Sequence, residues 1–352
     1  MSALRVAVIG AGAFGRNHVR ATRQMDEAEL VAIVDVDAVK AGALANEFGS
    51  QALHELAGIF GRVDAAIVAT PTVTHEEIAT RLLNAGIDVL VEKPIADSVP
   101  AGERLAQLAD ERGRILQVGH LERFNPAVMA LEGALTIPLF FEVHRLSLFT
   151  PRSLDVDVVL DLMIHDLDIV LSFTKALPDE IRAAGISVLS DRVDIANVRL
   201  SFPSGCVANL TASRVSTEKV RKLRLFQPGE YISLDYQRQD AVRLAVQRLK
   251  PGVLRNELSS HVTENTSKDA ESGFVPSEMD FAPGIGFVPL NVAHGEPLRI
   301  ELQAFFTAVR ERSKPKVDGI AATNALRVAE QILAKIREHS EIVAGTLRHR
   351  SS

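Results

Sequence analysis

The sequence predicts an α/β chain: a doubly wound parallel sheet first, then an α+β domain built on a mixed or antiparallel sheet. Three observations carry this. Short apolar runs alternate with helical patterns through about the first 120 residues, the signature of βαβ units. The first of these runs, Val6 to Ile9, breaks directly into a glycine-rich turn. After His120 the alternation gives way to consecutive strand-like runs separated by short turn signals, which indicates a differently built sheet. At 352 residues the chain also exceeds one ordinary core and suits two domains, 1–121 and 122–352.

Val6–Ile9 is a short, continuously apolar run, as a parallel strand buried on both faces must be. Gly10-x-Gly12-x-x-Gly15 follows, enclosing Ala13 and Phe14, and Arg16 to Met25 has a helical pattern. Gly10 permits the tight turn and Gly12 lets the backbone approach a pyrophosphate. Gly15 lets the helix lie close to the strand, with its free N–H groups facing the anion. A second strand, Leu30 to Val34, ends at Asp35, 20 residues after Gly15. A carboxylate there accepts hydrogen bonds from ribose hydroxyls and repels a 2′-phosphate, which favours NAD over NADP.

Ala41–Phe48 is a short helix, and Asp64–Ala69 is a strand ending at Thr70-Pro71. His75–Ala85 is a helix stopped by Gly86, and Asp88–Val91 is a strand leading into Glu92-Lys93-Pro94. Pro100–Arg112 is a helix, and Ile115–Val118 a strand ending at Gly119-His120. Ligands on such sheets bind beyond the carboxyl ends of the strands. Gly10–Gly15, Asp35, Thr70–His75, Glu92–Pro94 and Gly119–Arg123 should therefore line one crevice.

In the second domain Asn125–Leu135 reads as a helix, Leu139–Leu148 as an alternating strand and Asp157–Phe173 as a long apolar helix. Strand-like runs follow at Ile181–Val188, Ile195–Phe202, Cys206–Arg214, Lys222–Phe226, Tyr231–Asp235 and Ala241–Val246. Residues 251–284 are polar and read as a long loop or insertion. Pro297–Arg312 and Ala321–His339 are amphipathic helices, and the tail Thr346–Ser352 is expected to fray.

The bulk properties narrow the function classes. No apolar run approaches the roughly 18 residues of a membrane span, and the N-terminus lacks a signal-peptide pattern. The single cysteine, Cys206, excludes an internal disulfide framework or a cysteine-based zinc cluster. A cytoplasmic protein is expected. A net charge of −6 argues against a nucleic-acid partner.

Chemistry is concentrated in two places. In the apolar helix Asp157–Phe173, Asp161, His165 and Asp168 are spaced to share one face. Such a stripe must face a wet cleft or pair with itself, because isolated buried charge is too costly. A histidine between carboxylates is suited to proton transfer near neutral pH. A satisfied buried network, with Asp166 as a further member, is the competing reading of the same stripe. A metal reading lacks a supporting cysteine or second histidine cluster, so no metal is assigned. The second place is Lys93, at the end of an apolar strand, where Pro94 fixes the turn. Partly desolvated beside an oxidised nicotinamide, its amine would have a lowered pKa and could hydrogen-bond or deprotonate a hydroxyl. An ordinary phosphate-facing lysine is the plainer alternative.

The ordered set Gly10-x-Gly12-x-x-Gly15, Thr70-Pro71…His75, Glu92-Lys93-Pro94, Gly119-His120-x-x-Arg123-Phe124-Asn125-Pro126 and Asp161-x-x-x-His165 resembles the Gfo/Idh/MocA oxidoreductase family. The resemblance runs on to the closing Pro315-x-Val317-x-Gly319-x-x-Ala322. It implies a Rossmann domain, then an open-faced mixed sheet that pairs into homodimers or homotetramers. It also implies hydride transfer between a sugar-type carbinol and NAD. Lys93 becomes the catalytic lysine and His165 its acid/base partner, with Asp161 positioning the sugar or the histidine. Thr70, Pro71, His75 and Glu92 would line the nicotinamide end, with His120, Arg123 and Asn125 toward the substrate.

Val118–Pro126, His144-Arg145-Leu146 and Phe149-Thr-Pro-Arg152 look most like the family's nucleotide-sugar dehydrogenases. That branch oxidises the 3-hydroxyl of UDP-N-acetylglucosamine, so that a partner aminotransferase can install an amine for lipid A. A pyrophosphate needs fixed positive charge, for which Arg145, Arg152, Arg214, Lys219 and Arg221 are available. For Lys219 and Arg221 a solvated sheet edge is the competing reading. Oxidation of a free polyol such as an inositol, or a catalytically silent dinucleotide-sensing regulator, are the alternatives on this scaffold.

Overall fold

The computed structural model describes residues 2–149, 156–246, 280–282 and 285–350. Its first sheet contains β1 (Leu4–Ile9), β2 (Ala28–Val34), β3 (Gln51–Leu53), β4 (Ala65–Val68), β5 (Asp88–Glu92) and β6 (Leu116–Gly119). They lie in the order β3-β2-β1-β4-β5-β6 and all pair in parallel. The order reverses between β1 and β4, which is where a doubly wound sheet opens its ligand crevice. Helices α1 (Ala13–Arg23), α2 (Ala38–Phe48), α3 (His75–Asn84) and α4 (Val99–Glu111) connect these strands. Local chemistry sets their ends. The Asp37 side chain accepts hydrogen bonds from the Val39 and Lys40 amides at the start of α2, and Gly49 closes that helix in the left-handed region.

The second sheet is formed by β7 (Phe140–Leu148), β8 (Glu180–Ile186), β9 (Ile195–Ser201), β10 (Val207–Ser216), β11 (Val220–Gln227), β12 (Glu230–Asp235), β13 (Asp240–Val246), β14 (Asp280–Ala282) and β15 (Ile285–Pro289). The order is β14-β15-β13-β12-β11-β7-β10-β9-β8. Only β7 and β10 pair in parallel, so the sheet is mixed. Helices α5 (Pro126–Ala134), α6 (Ile164–Thr174) and the middle of α8 (Gly319–Arg350), from Val328 to Ile336, share one core with its inner face. The other face carries alternating polar positions such as Glu142, Arg199 and Arg224.

Three differences from the sequence reading have physical causes. The expected helix over Asp157–Phe173 is α-helical only from Ile164 and begins with a π turn over Val159–Met163. Part of the polar segment 251–284 is strand, since β14 occupies Asp280–Ala282 beside β15; positions 251–279 lie outside the described residues. The tail expected to fray is helical through Arg350 as the end of α8.

The C-terminal helices tie the two sheets together. In α7 (Pro297–Glu311), Leu302, Phe305 and Phe306 are buried in one cluster with Leu4, Val6 and Ile33 of the first sheet. Full burial of each phenylalanine stabilises by roughly 1.5–3 kcal/mol. Helix α8 places Ala322 and Leu326 in the other core of the first sheet, and Val328 and Ile332 in the core of the second. This shared helix helps fix α6 against the carboxyl ends of β5 and β6.

Candidate active site

The turn after β1 is built by close backbone contact. Gly10 has φ +102°, and a Cβ there would lie 2.4 Å from the Ala69 carbonyl oxygen. A Cβ on Gly15 would lie 1.8 Å from the Gly10 carbonyl oxygen, whereas Gly12 faces open space. Two of the glycines therefore let the chain close on itself, and the third leaves room for a ligand.

Beyond the turn lies a cleft of about 950 Å³, lined by Gly10, Gly12, Ala13, Phe14, Asp35, Thr70 and Pro71 among others. That volume suits a dinucleotide half or more. Asp35 accepts hydrogen bonds from the Ala11 amide at 2.6 Å and the Asp37 amide at 2.8 Å. A carboxylate has about four lone-pair sites, so both oxygens retain acceptor capacity for ribose hydroxyls. Turn shape, open space at Gly12 and a carboxylate at the end of β2 together fit NAD.

His75 is buried, and its ring nitrogens lie 2.9 Å from the carbonyls of Pro94 and Thr70. It joins the loops after β4 and β5 and acts on the cleft through them. Glu92 lies 2.6 Å from His18 Nε2 and accepts the Lys93 amide at 3.3 Å. Burial works most strongly against its charge, but His18 and Lys93 together outweigh burial and hold the carboxyl below its ordinary range. Deeper still, Glu301 of α7 is fully buried, with no hydrogen-bond partner on either carboxyl oxygen. Burial, then the nearby Glu92 charge, pushes it well above the ordinary carboxyl range.

Lys93 crosses from the first sheet to the π turn. Its Nζ donates to the Asp161 carbonyl at 2.7 Å and the Leu160 carbonyl at 3.4 Å, with Asp161 Oδ1 at 3.7 Å. The π turn departs from α-helical carbonyl pairing, and two of its carbonyls point at this amine. Burial lowers the Lys93 pKa despite opposing attraction from Asp161 and Glu92. One turn onward, His165 is pushed well below the ordinary imidazole range, first by burial and then by Lys93, Arg145, His120 and Arg221. Its Nδ1 has no partner. His120 packs edge-on against it with ring centroids 6.2 Å apart, and both His120 nitrogens are also unpartnered. Burial lowers the His120 pKa as well. The site therefore holds two neutral imidazoles and an amine with weakened basicity, suited to accepting a hydroxyl proton.

Other expected substrate contacts are taken up by the protein. Arg145 has a side chain only 2% exposed, and it donates to Asp166 at 2.6 and 2.8 Å and to Glu122 at 2.9 Å. Its guanidinium also lies over the Tyr236 ring, 5.0 Å from the centroid. Arg123 is buried against Asp168 at 3.4 Å and Glu132 at 3.6 Å. Asn125 caps α5 through the Ala127 amide and donates to the Tyr236 carbonyl. Arg214 donates to Asp194 at 2.7 Å. Each of these residues already has a carboxylate or backbone partner within the protein. Asp168 pairs with Arg123, and its charge also reaches His120. Arg152 lies outside the described residues.

Sequence reasoning missed Glu122 as a partner of Arg145, along with His18, Tyr236 and Glu301. A signal existed for Asp166, a carboxylate in an otherwise apolar helix. None existed for Glu301, whose amphipathic helix gave no clue to its docking site.

Residues 4–120 match the family described as an oxidoreductase family with an NAD-binding Rossmann fold, and residues 141–227 match the GFO/IDH/MocA C-terminal domain. The chain is 33% identical to UDP-N-acetylglucosamine 3-dehydrogenase of Acidithiobacillus ferrooxidans, over 94% of this chain and 96% of that protein. It is 30% identical to inositol 2-dehydrogenase of Rubrobacter xylanophilus, over 52% of this chain and 56% of that protein. A solved structure of the Acidithiobacillus ferrooxidans enzyme superposes with TM-score 0.83 at 31% identity, covering 96% of this chain and 99% of that one. An Agrobacterium radiobacter oxidoreductase solved with NAD+, L-tartaric acid and magnesium shares the fold, with TM-score 0.78 at 15% identity over 96% of this chain and 97% of that one. The glycine turn, the paired lysine and histidine and these full-length matches lead to one assignment: this chain belongs to the Gfo/Idh/MocA family of NAD-binding oxidoreductases.

Proposed function

We propose that the protein oxidises the 3-hydroxyl of UDP-N-acetylglucosamine to a ketone, using NAD. One observation carries this reading. Lys93, from the end of β5, reaches the π turn that leads into His165, and both groups have depressed pKa values. Gly10, Gly12, Ala13, Phe14 and Asp35 would hold the dinucleotide, with Thr70 and Pro71 lining the way toward Glu92 and Lys93. Bound NAD supplies the hydride acceptor. Lys93 hydrogen-bonds the reacting hydroxyl, His165 accepts its proton as the carbon gives up hydride, and Asp161 orients the lysine. Proton transfer by a positioned group of this kind contributes roughly 100- to 10,000-fold in rate.

The choice of sugar is supported by the full-length similarity to a UDP-N-acetylglucosamine 3-dehydrogenase, against about half-length matches to inositol dehydrogenases. In this reading the ketone passes to an aminotransferase in lipid A precursor synthesis. The enzyme works in the cytoplasm as a homodimer or homotetramer paired through the open face of the second sheet. Its partners are small molecules, with no nucleic acid and no membrane. No helix among the described residues is long and apolar enough to cross one.

The test is a panel of nucleotide sugars and free polyols with NAD and NADP, followed by absorbance of reduced nicotinamide. Turnover of UDP-N-acetylglucosamine with NAD, at least tenfold above any polyol, is the expected result. Turnover of inositol with indifference to the UDP group would replace this reading with the polyol one, and no turnover of either would remove both.

A further inference from the structure

Among the described residues, a cation for the substrate is found by accounting for the candidates the sequence offered. Arg145 and Arg214 are held by buried carboxylates, and Lys219 is exposed in the turn before β11. Arg221 differs. It stands directly opposite Arg145 in the β7–β11 register and shares burial parity with Leu223 and Leu225. It therefore projects from the sheet face that packs on α6, on the side of His165.

Its side chain is 30% exposed, and its nearest carboxylate oxygen, Glu122 Oε1, lies 3.7 Å away, beyond hydrogen-bond range. Arg145 already occupies that oxygen at 2.9 Å. Arg221 Nε is buried with no acceptor. A guanidinium carries five N–H donors in a planar fork matched to phosphoryl oxygens, and among the described residues that fork has no acceptor within hydrogen-bond distance. Burial, and then the neighbouring Arg145 charge, holds Arg221 below the ordinary arginine range, so an incoming anion would relieve it. The Arg221 charge in turn contributes to lowering the His165 pKa, after burial and the stronger influences of Lys93 and Arg145.

We infer that Arg221 is the specificity residue of the substrate site, binding a phosphoryl oxygen of the nucleotide sugar while Lys93 and His165 engage the hydroxyl. This rests on the nucleotide-sugar reading above. It selects Arg221 from the cations that the sequence pattern offered for a pyrophosphate.

Arg221→Gln and Arg221→Lys are compared with wild type at saturating NAD. UDP-N-acetylglucosamine is the varied substrate and UDP the competitive inhibitor. A lost charge-assisted hydrogen bond predicts that KM and the UDP inhibition constant both rise roughly 30-fold in Arg221→Gln. The change in kcat stays within about threefold, KM for NAD does not move, and Arg221→Lys recovers part of the loss. As a check independent of variant folding, wild-type protein is treated with phenylglyoxal, and UDP should protect Arg221 as read by peptide mass. Wild-type-like KM and UDP inhibition in Arg221→Gln, a loss confined to kcat, or modification of Arg221 unaffected by UDP would each overturn the inference. A wild type that oxidises polyols but not UDP-sugars would instead sink the underlying functional reading.

Discussion

Replacing Arg145 with Met tests whether this residue holds the site together or meets substrate. Its guanidinium makes three short hydrogen bonds, two to Asp166 and one to Glu122, and the side chains of Arg145 and Asp166 are each only 2% exposed. Methionine fills much of the same space but leaves two carboxylates without their cation. Removing one partner of a buried pair costs about 3–5 kcal/mol, because the remaining charge is stranded in a poor solvent. A loss of that size is a large part of the roughly 5–15 kcal/mol that holds a typical domain. Denaturant unfolding followed by circular dichroism should show it. The double variant Arg145→Met/Asp166→Leu should be less destabilised than the single one, because removing both charges is often nearly neutral. A loss under about 1 kcal/mol, with KM for the sugar nucleotide raised and the fold intact, would refute the structural assignment and return Arg145 to the substrate.

Other perturbations follow from the same geometry. Gly15→Ala would put a Cβ 1.8 Å from the Gly10 carbonyl oxygen; α1 must then swing away, and NAD affinity measured by calorimetry should fall at least about tenfold. Unchanged affinity would show that the turn does not need that contact. Asp35→Ala removes the carboxylate beside the Ala11 amide. The preference for NAD over NADP should drop at least about tenfold, and an unaltered ratio would mean that selectivity lies elsewhere. Glu301→Met replaces a buried carboxyl that lacks a partner and should stabilise the protein by roughly 1–3 kcal/mol. Because the folded-state pKa of Glu301 is raised, its contribution is most favourable below the ordinary glutamate pKa and is lost as pH rises toward the folded value. The gain from Glu301→Met in denaturation experiments should therefore grow with pH, and a gain that shrinks would contradict its buried, protonated state.

The first sheet was legible because strands buried on both faces must be continuously apolar, and Val6–Ile9 and Val89–Val91 are. Only β3 escaped, being a three-residue edge strand with half-exposed side chains. Strands β7 to β13 of the second sheet showed through alternation, since one of its faces is polar, whereas β14 and β15 were not read as strands. The π turn was not legible, because a 3.6-residue repeat assumes the α geometry that the turn departs from. Lys93 and His165 were found through motif order. The ion pairs of Arg145 were not legible because its partners lie 21 and 23 residues away on other elements, and a sequence pattern shows a charge without showing what neutralises it. Burial likewise separated Arg145 from Arg221, two arginines that look alike as letters.

The convergence of Lys93 and His165 on one alcohol is tested most directly by Lys93→Met, with NAD binding by calorimetry and nicotinamide reduction by stopped-flow absorbance in the same preparation. NAD affinity within about threefold of wild type, with hydride transfer slowed roughly 100- to 10,000-fold, is the predicted result. Hydride transfer at a near wild-type rate in protein that binds NAD normally would contradict it.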